Sequence, residues 1–256
     1  MNTRTNLDAI LISGALIFFA AARAAESPAP GNITQATLGE QNVPTPEITT
    51  DELEKILAEG SIPVLDVRSA REYAIGHIPG SINIYEKEAA EILKRYPVRS
   101  GALVLYCNGP FCGKSKRVSA DLVKAGYTRI RRYQLGIPIW RALGRIVQTD
   151  LDGVRYIRDG DKTAVFVDAR TREAVQKETI SKAVNVRSGE ADQANEPADG
   201  RLPHFDKGTR VVVFADTAAE ARTVAGEIAK KAYWNTSYFG GTANALKTAE
   251  LFEKRN

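Results

Sequence analysis

Cys107 and Cys112 stand with four residues between them in the segment Leu103-Val104-Leu105-Tyr106-Cys107-Asn108-Gly109-Pro110-Phe111-Cys112-Gly113-Lys114-Ser115. A cysteine becomes a nucleophile when its surroundings favour the thiolate. Leu103 to Tyr106 is short, apolar and closed by turn-formers, the pattern of a buried parallel strand. Gly109 tolerates positive φ and Pro110 lacks an N–H, so the strand cannot continue through them. From Ser115 onward Val118, Leu122 and Val123 recur at helical spacing, and Gly126 supplies a stop. Cys107 is therefore expected at a strand end, facing loop amides and the N-terminus of the next helix. Unpaired N–H groups and the positive end of a helix dipole stabilise a negative sulfur. Lys114, Lys116 and Arg117 place cations where that dipole disfavours them, at about a few tenths of a kcal/mol each. This arrangement suits drawing an anion to the thiolate and lowering its pKa; the alternative is a solvated basic face. Cys112 reads either as a resolving cysteine able to form a disulfide with Cys107 or as a small loop residue facing the core.

The elements that must position this segment alternate. Thr49 with Glu52 forms a capping box ahead of the stripe Leu53, Ile56, Leu57, which ends at Gly60. A strand over Ile62 to Val67 runs into Asp66-Val67-Arg68, then a polar turn holds Arg71-Glu72-Tyr73. Gly76-His77-Ile78-Pro79-Gly80-Ser81 leads to a short strand over Ile82 to Ile84 and a weak helix over Lys87 to Tyr96. A strand around Ile130 to Tyr133 and a helix opening at Gly136-Ile137-Pro138-Ile139-Trp140 follow the cysteine helix. Strands alternating with helices imply an α/β class with a mainly parallel sheet.

The second half repeats the first. Asp168 lies 102 positions after Asp66, Val184 lies 102 after Ile82, Ala215 lies 108 after Cys107, and Gly241 lies 105 after Gly136. Anchors in one order at near-constant offset indicate a tandem duplication of domain size. The expected division is a signal peptide at 1–24, a flexible leader at 25–46, and copies at 47–149 and 150–256. Ala215 replaces the cysteine in the second copy, and Asp216 with a Thr217–Glu220 capping box makes that helix start repel anions.

The chain has 256 residues, 43% hydrophobic and 26% charged, with a net charge of +4, values of an ordinary globular protein and too mild for nucleic-acid binding. Arg4, an apolar run from Ala9 to Ala22 and the small residues of Ala22-Arg23-Ala24 have the layout of a secretory signal cleaved after Ala24. The expected location is the bacterial periplasm, with no stable membrane span after cleavage, in an oxidising compartment. No His/Cys cluster has metal-ligand spacing and no glycine pattern suits a nucleotide, so no cofactor is expected. Trp140 and Trp234 read as core or interdomain packing, and His204 as surface.

Together Asp66-Val67-Arg68, Glu72-Tyr73, Gly76-His77-Ile78-Pro79-Gly80-Ser81-Ile82-Asn83, the strand-terminal Cys107 and Gly136 before Trp140 resemble the rhodanese (thiosulfate sulfurtransferase) homology domain. The resemblance runs from about Pro46 to the end as two copies and implies two three-layer α/β/α domains. It also implies that Cys107 takes the outer sulfur of a small anionic donor such as thiosulfate, becomes a persulfide, and passes the sulfur to a thiol or cyanide-like acceptor. Asn108, Gly109, Pro110, Phe111, Cys112, Gly113, Lys114 and Ser115 would then hold the donor and persulfide, with Arg68 within reach of the anion or paired at the strand end. In this context His77 is structural. The chain departs from the family in three ways. Its loop is about two residues longer than in thiosulfate-using members, its cysteine is in the first copy rather than the second, and the second copy has none. A longer loop resembles those of related cell-cycle phosphatases and arsenate reductases, yet the arginine they carry six positions on is Gly113 here, and Lys114 lacks the fork that clamps phosphate. Two other readings stand beside sulfur transfer: a thiol–disulfide redox protein using Cys107 and Cys112, and a non-catalytic module with a protein partner on the second copy.

Overall fold

A computed structural model describes residues 45–255; the expected signal peptide and the expected leader up to residue 44 lie outside the described residues. The first copy opens with α1 (Thr50–Glu59). The Thr49 hydroxyl accepts from the Glu52 N–H and the Glu52 carboxylate accepts from the Thr49 N–H, the reciprocal box read from the sequence. Then come β1 (Val64–Asp66), α2 (Ala70–Ile75), β2 (Ile82–Asn83), a 3-10 turn (Glu86–Glu88), α3 (Ala90–Arg95), β3 (Ala102–Tyr106), α4 (Lys114–Lys124), β4 (Arg129–Tyr133) and α5 (Gly136–Ala142). The strands form one parallel sheet in the order β2-β1-β3-β4. In β3, Val104 and Tyr106 pack with Leu53, Ile56 and Trp140 on one face, while Leu103 and Leu105 pack with Val118 and Leu122 of α4 on the other. That two-sided burial is why the strand reads as a continuous apolar run, and it carries Cys107 to the end of the central strand.

One expectation changes here. Arg71-Glu72-Tyr73 is not a turn but lies in α2, which Ser69 and Glu72 start with a second reciprocal capping box.

The second copy comprises β5 (Val147–Thr149), α6 (Leu151–Gly160), β6 (Val165–Asp168), α7 (Arg172–Lys177), β7 (Glu178–Ile180), β8 (Val184–Asn185), α8 (Ala191–Ala194), β9 (Val211–Phe214), α9 (Ala218–Ala229), β10 (Thr236–Phe239), α10 (Ala243–Thr248) and β11 (Phe252–Lys254). Its parallel sheet has the order β5-β10-β9-β6-β8, and β11 pairs antiparallel with β7. Val147–Thr149 is thus paired in the second sheet. Only the Thr217 half of the expected Thr217–Glu220 box forms, with the hydroxyl accepting from the Glu220 N–H. The stretch Ser188 to Lys207, polar in sequence, folds around α8 and buries Ala191, Ala194 and Leu202, and His204 bonds to the Asn195 carbonyl. Trp140 is core and its indole donates to the Ile146 carbonyl at 3.0 Å, but Trp234 is 51% exposed.

The duplication is real, with one register slip. Ile137 N–H bonds to the Cys107 carbonyl just as Ala243 N–H bonds to the Ala215 carbonyl. The structural counterpart of Gly136 is therefore Thr242, not Gly241, and that of Gln134 is Gly240. The copies meet where His77 and Gln148 exchange backbone hydrogen bonds, both 2.9 Å, and where α6 lies against α2 so closely that a Cβ on Gly153 would fall 1.9 Å from the Ala74 carbonyl oxygen. A cleft of about 1110 Å³ between them is lined by Leu57, Trp140, Arg145, Arg222, Lys230 and Tyr238; Cys107 is not on its wall.

Candidate active site

Cys107 follows β3 directly, and its loop is folded by residues whose backbone conformations the sequence dictates. Gly109 has φ of 102°, and the Cys112 N–H closes a turn onto the Gly109 carbonyl at 2.9 Å. Gly136, at φ of 61°, lets the β4–α5 connection press against this loop: a Cβ there would sit 2.4 Å from both the Cys107 oxygen and the Gly109 nitrogen. Phe111 at the tip is 86% exposed.

The sulfur itself is deep, with Cys107 only 1% exposed. Its thiol donates to the Cys112 carbonyl at 3.3 Å and lies 3.3 Å from the Ser115 hydroxyl; the Ser115 backbone, in the first turn of α4, also favours its charged form. In place of the expected ring of amides, the hydrogen-bond partners of the sulfur at rest are one hydroxyl and one carbonyl. The cause is local: Pro110 has no N–H to offer and the Cys112 N–H is spent on the turn. The thiol consequently shifts opposite to the expected direction. Burial, with the Cys112 carbonyl, pushes it up to about 11 against the pull of Ser115.

The basic helix start is also less available than its sequence suggests. Lys114 pairs with Glu72 at 3.2 Å and Arg117 with Glu86 at 2.7 Å. Two carboxylates thus offset cations set against the helix dipole. Arg68 is closed on Asp66 at 2.5 Å, donates to the Gly76 carbonyl at 2.8 Å, and touches the Asn108 side-chain oxygen at 3.4 Å. Asn108 in turn donates to Glu72. His77 stacks on Tyr73, with ring centroids 3.7 Å apart, and its Nδ1–H donates to the Tyr73 carbonyl; burial holds its pKa below the ordinary range, so it is a packed neutral ring.

The structure brings Cys107, Asn108, Cys112, Lys114 and Ser115 together and adds two residues that the sequence reading passed over. Glu72 ties Asn108 and Lys114 to α2; the signal for it was the Ser69-x-x-Glu72 box. Gln134, buried just past β4, donates to the carbonyls of Pro110 (3.0 Å), Gly109 (3.3 Å) and Cys112 (3.4 Å), and its Oε1 accepts from Ser115 (3.3 Å) and Arg132 (2.8 Å). Following a strand that already holds Arg129, Arg131 and Arg132, one more polar residue gave no signal of its own. Among the described residues no group of three or more His, Cys, Asp or Glu side chains is placed to hold a metal ion.

The human thiosulfate:glutathione sulfurtransferase is 32% identical over 102 residues, covering 34% of this chain and 86% of that protein. The thiosulfate sulfurtransferase of Pseudomonas entomophila is 26% identical over 95 residues, 37% of this chain and 84% of the relative. An HTH-type transcriptional regulator of Mycobacterium tuberculosis is 34% identical over 103 residues; the match spans 40% of this chain and only 44% of the regulator. The crystal structure of a thiosulfate sulfurtransferase from Pseudomonas aeruginosa aligns over 82% of this chain and 44% of its own, at 20% identity and a TM-score of 0.37. The model of the rhodanese-like domain matches twice, at residues 49–143 and 155–247, and the chain belongs to that family as a tandem pair with its cysteine in the first copy.

Proposed function

We propose that the first copy is a sulfurtransferase acting through a Cys107 persulfide. The observation that carries this reading is the Cys107 sulfur at the end of β3, an inner strand of the sheet, 3.3 Å from the hydroxyl of Ser115 in the first turn of α4. In the step proposed, the Cys107 thiolate attacks the outer sulfur of thiosulfate. The donor's S–S bond breaks, sulfite leaves with its electron pair, and Cys107 carries S–S⁻. An acceptor thiolate then attacks the outer sulfur and Cys107 departs as thiolate. The second copy, without a nucleophile, serves packing or a protein partner, and export to the periplasm fits residues 1–24. After incubation with thiosulfate, intact mass should show one added sulfur, and Cys107→Ser should show none. Because the resting thiol is held near 11, the loading rate should rise about tenfold per pH unit through the neutral range. A rate independent of pH would count against Cys107 as the ionising nucleophile.

A second reading has one observation in its favour: both cysteines are free, and the backbone of Cys112 touches the Cys107 sulfur. A thiol–disulfide protein would lose as much from Cys112→Ser as from Cys107→Ser. A sulfurtransferase would keep its turnover in Cys112→Ser.

A further inference from the structure

Gln134 is where the polar groups around the sulfur converge. The Cys107 thiol has two hydrogen-bond neighbours on side chains and carbonyls, the Cys112 carbonyl and the Ser115 hydroxyl, each at 3.3 Å. Both also bond to Gln134, the first through Nε2 at 3.4 Å and the second through Oε1 at 3.3 Å. We propose that Gln134 is a positioning residue that keeps the buried cradle paired while Cys107 alternates between neutral thiol and anion.

The hydrogen inventory carries the argument. A thiol donates one hydrogen, whereas a thiolate or persulfide only accepts. When the proton leaves, the Cys112 carbonyl loses its S–H donor but retains Nε2, whose two hydrogens it shares with the Gly109 and Pro110 carbonyls. The single hydroxyl hydrogen of Ser115 turns from Oε1 to the sulfur. Oε1 retains Arg132 Nη1, at 2.8 Å. Neither the Cys112 carbonyl nor Oε1 is orphaned in either state, and an orphaned acceptor at this depth is costly. Gln134 is itself 2% exposed. The inert copy has no such residue. Gly240 occupies the place, and a Cβ there would lie 2.4 Å from the Gln148 side chain, which fills the space.

This proposal rests on the sulfur-transfer reading for its use, but its test reads ionisation alone. In a Cys112→Ser background, the rate of Cys107 alkylation by iodoacetamide at about pH 8 tracks the thiolate fraction, with no sulfur donor present. Gln134→Met removes both ends of the side chain. Gln134→Glu keeps the acceptor for Arg132 and Ser115 but has no Nε2 donor. Each should slow alkylation by about tenfold or more, the weight of one orphaned carbonyl, with the slope of rate against pH preserved. If the Met variant does not fold, the Glu variant carries the result. Unchanged rates in folded variants overturn the proposal. Faster rates overturn it too, since a role confined to packing would loosen the loop and expose the thiol. Failure of the wild-type chain to take sulfur from thiosulfate would leave this result standing and remove only the sulfur-transfer reading.

Discussion

At the end of β1 the Arg68 guanidinium closes on Asp66 at 2.5 Å and donates to the Gly76 carbonyl at 2.8 Å; at the end of β6 Arg170 closes on Asp168 at 2.8 Å and donates to the Glu178 carbonyl at 2.7 Å. Asn83 straps the carbonyls of residues 66 and 68, and Asn185 straps those of 168 and 170. One strand away the copies part. Five residues separate Cys107 from the N-cap Gly113 of α4, while Asp216 alone separates Ala215 from the N-cap Thr217 of α9. Ser115 and Gln134 give way to Ala219 and Gly240. The difference teaches what each set of residues is for. A buried Asp–Arg clasp is needed wherever the strand end must be held, since losing one partner strands a charge. The long loop and its polar supports matter only where a sulfur must be held.

The sharpest way to break this comparison is to move the nucleophile. Ala215→Cys in a Cys107→Ser chain restores the residue but not its surroundings: Ala215 is fully buried in an apolar cluster. We expect no added sulfur by mass after thiosulfate and no turnover. Recovery would mean that the loop and Gln134 are dispensable.

Next in size is the backbone that seats the loop. Gly136→Ala must place a Cβ 2.4 Å from two backbone atoms at a left-handed φ of 61°, so urea unfolding should show a loss of more than about 2 kcal/mol. Its counterpart Thr242 sits at φ of −110° and caps α10 by accepting from the Ala245 N–H, so Thr242→Ala should lose only about 1 kcal/mol. Equal losses would mean that the longer loop makes no special demand on the turn beneath it.

These residues also mark what could be read without coordinates. β3, α4, the Thr49 box and the repeat were legible because burial and capping act through nearest neighbours in sequence. The slip from Thr242 to Gly241 arose because a glycine pair invites matching by type, whereas register is set by which amide reaches which carbonyl. The direction of the Cys107 shift was not legible at all. It depends on the Cys112 carbonyl turning toward the sulfur and on Glu72 and Glu86 reaching the helix start from 42 and 31 residues away. Sequence spacing shows the cations but not their partners.

The smallest expected effect tests the carboxylate that only the first copy has. Glu72 occupies the third position of α2, and the same position of α7 is Ala174. Burial pushes the Glu72 carboxyl up, but the bonds from Ser69, Asn108 and Lys114 outweigh it and hold it near 2. A carboxyl depressed in the folded state contributes stability above its unfolded pKa of about 4.3, and loses it as pH falls from there toward 2. Glu72→Gln should therefore lower stability at neutral pH by less than about 1 kcal/mol, because the side chain is 35% exposed and screened. Thermal melts of the two proteins should differ most at neutral pH and converge near pH 3. Ala174→Glu, which completes the box in the second copy, should add a few tenths of a kcal/mol. A Glu72→Gln deficit that is constant across this range would trace to lost shape, not to the charge, and the tie from α2 to Asn108 and Lys114 would then not depend on ionisation.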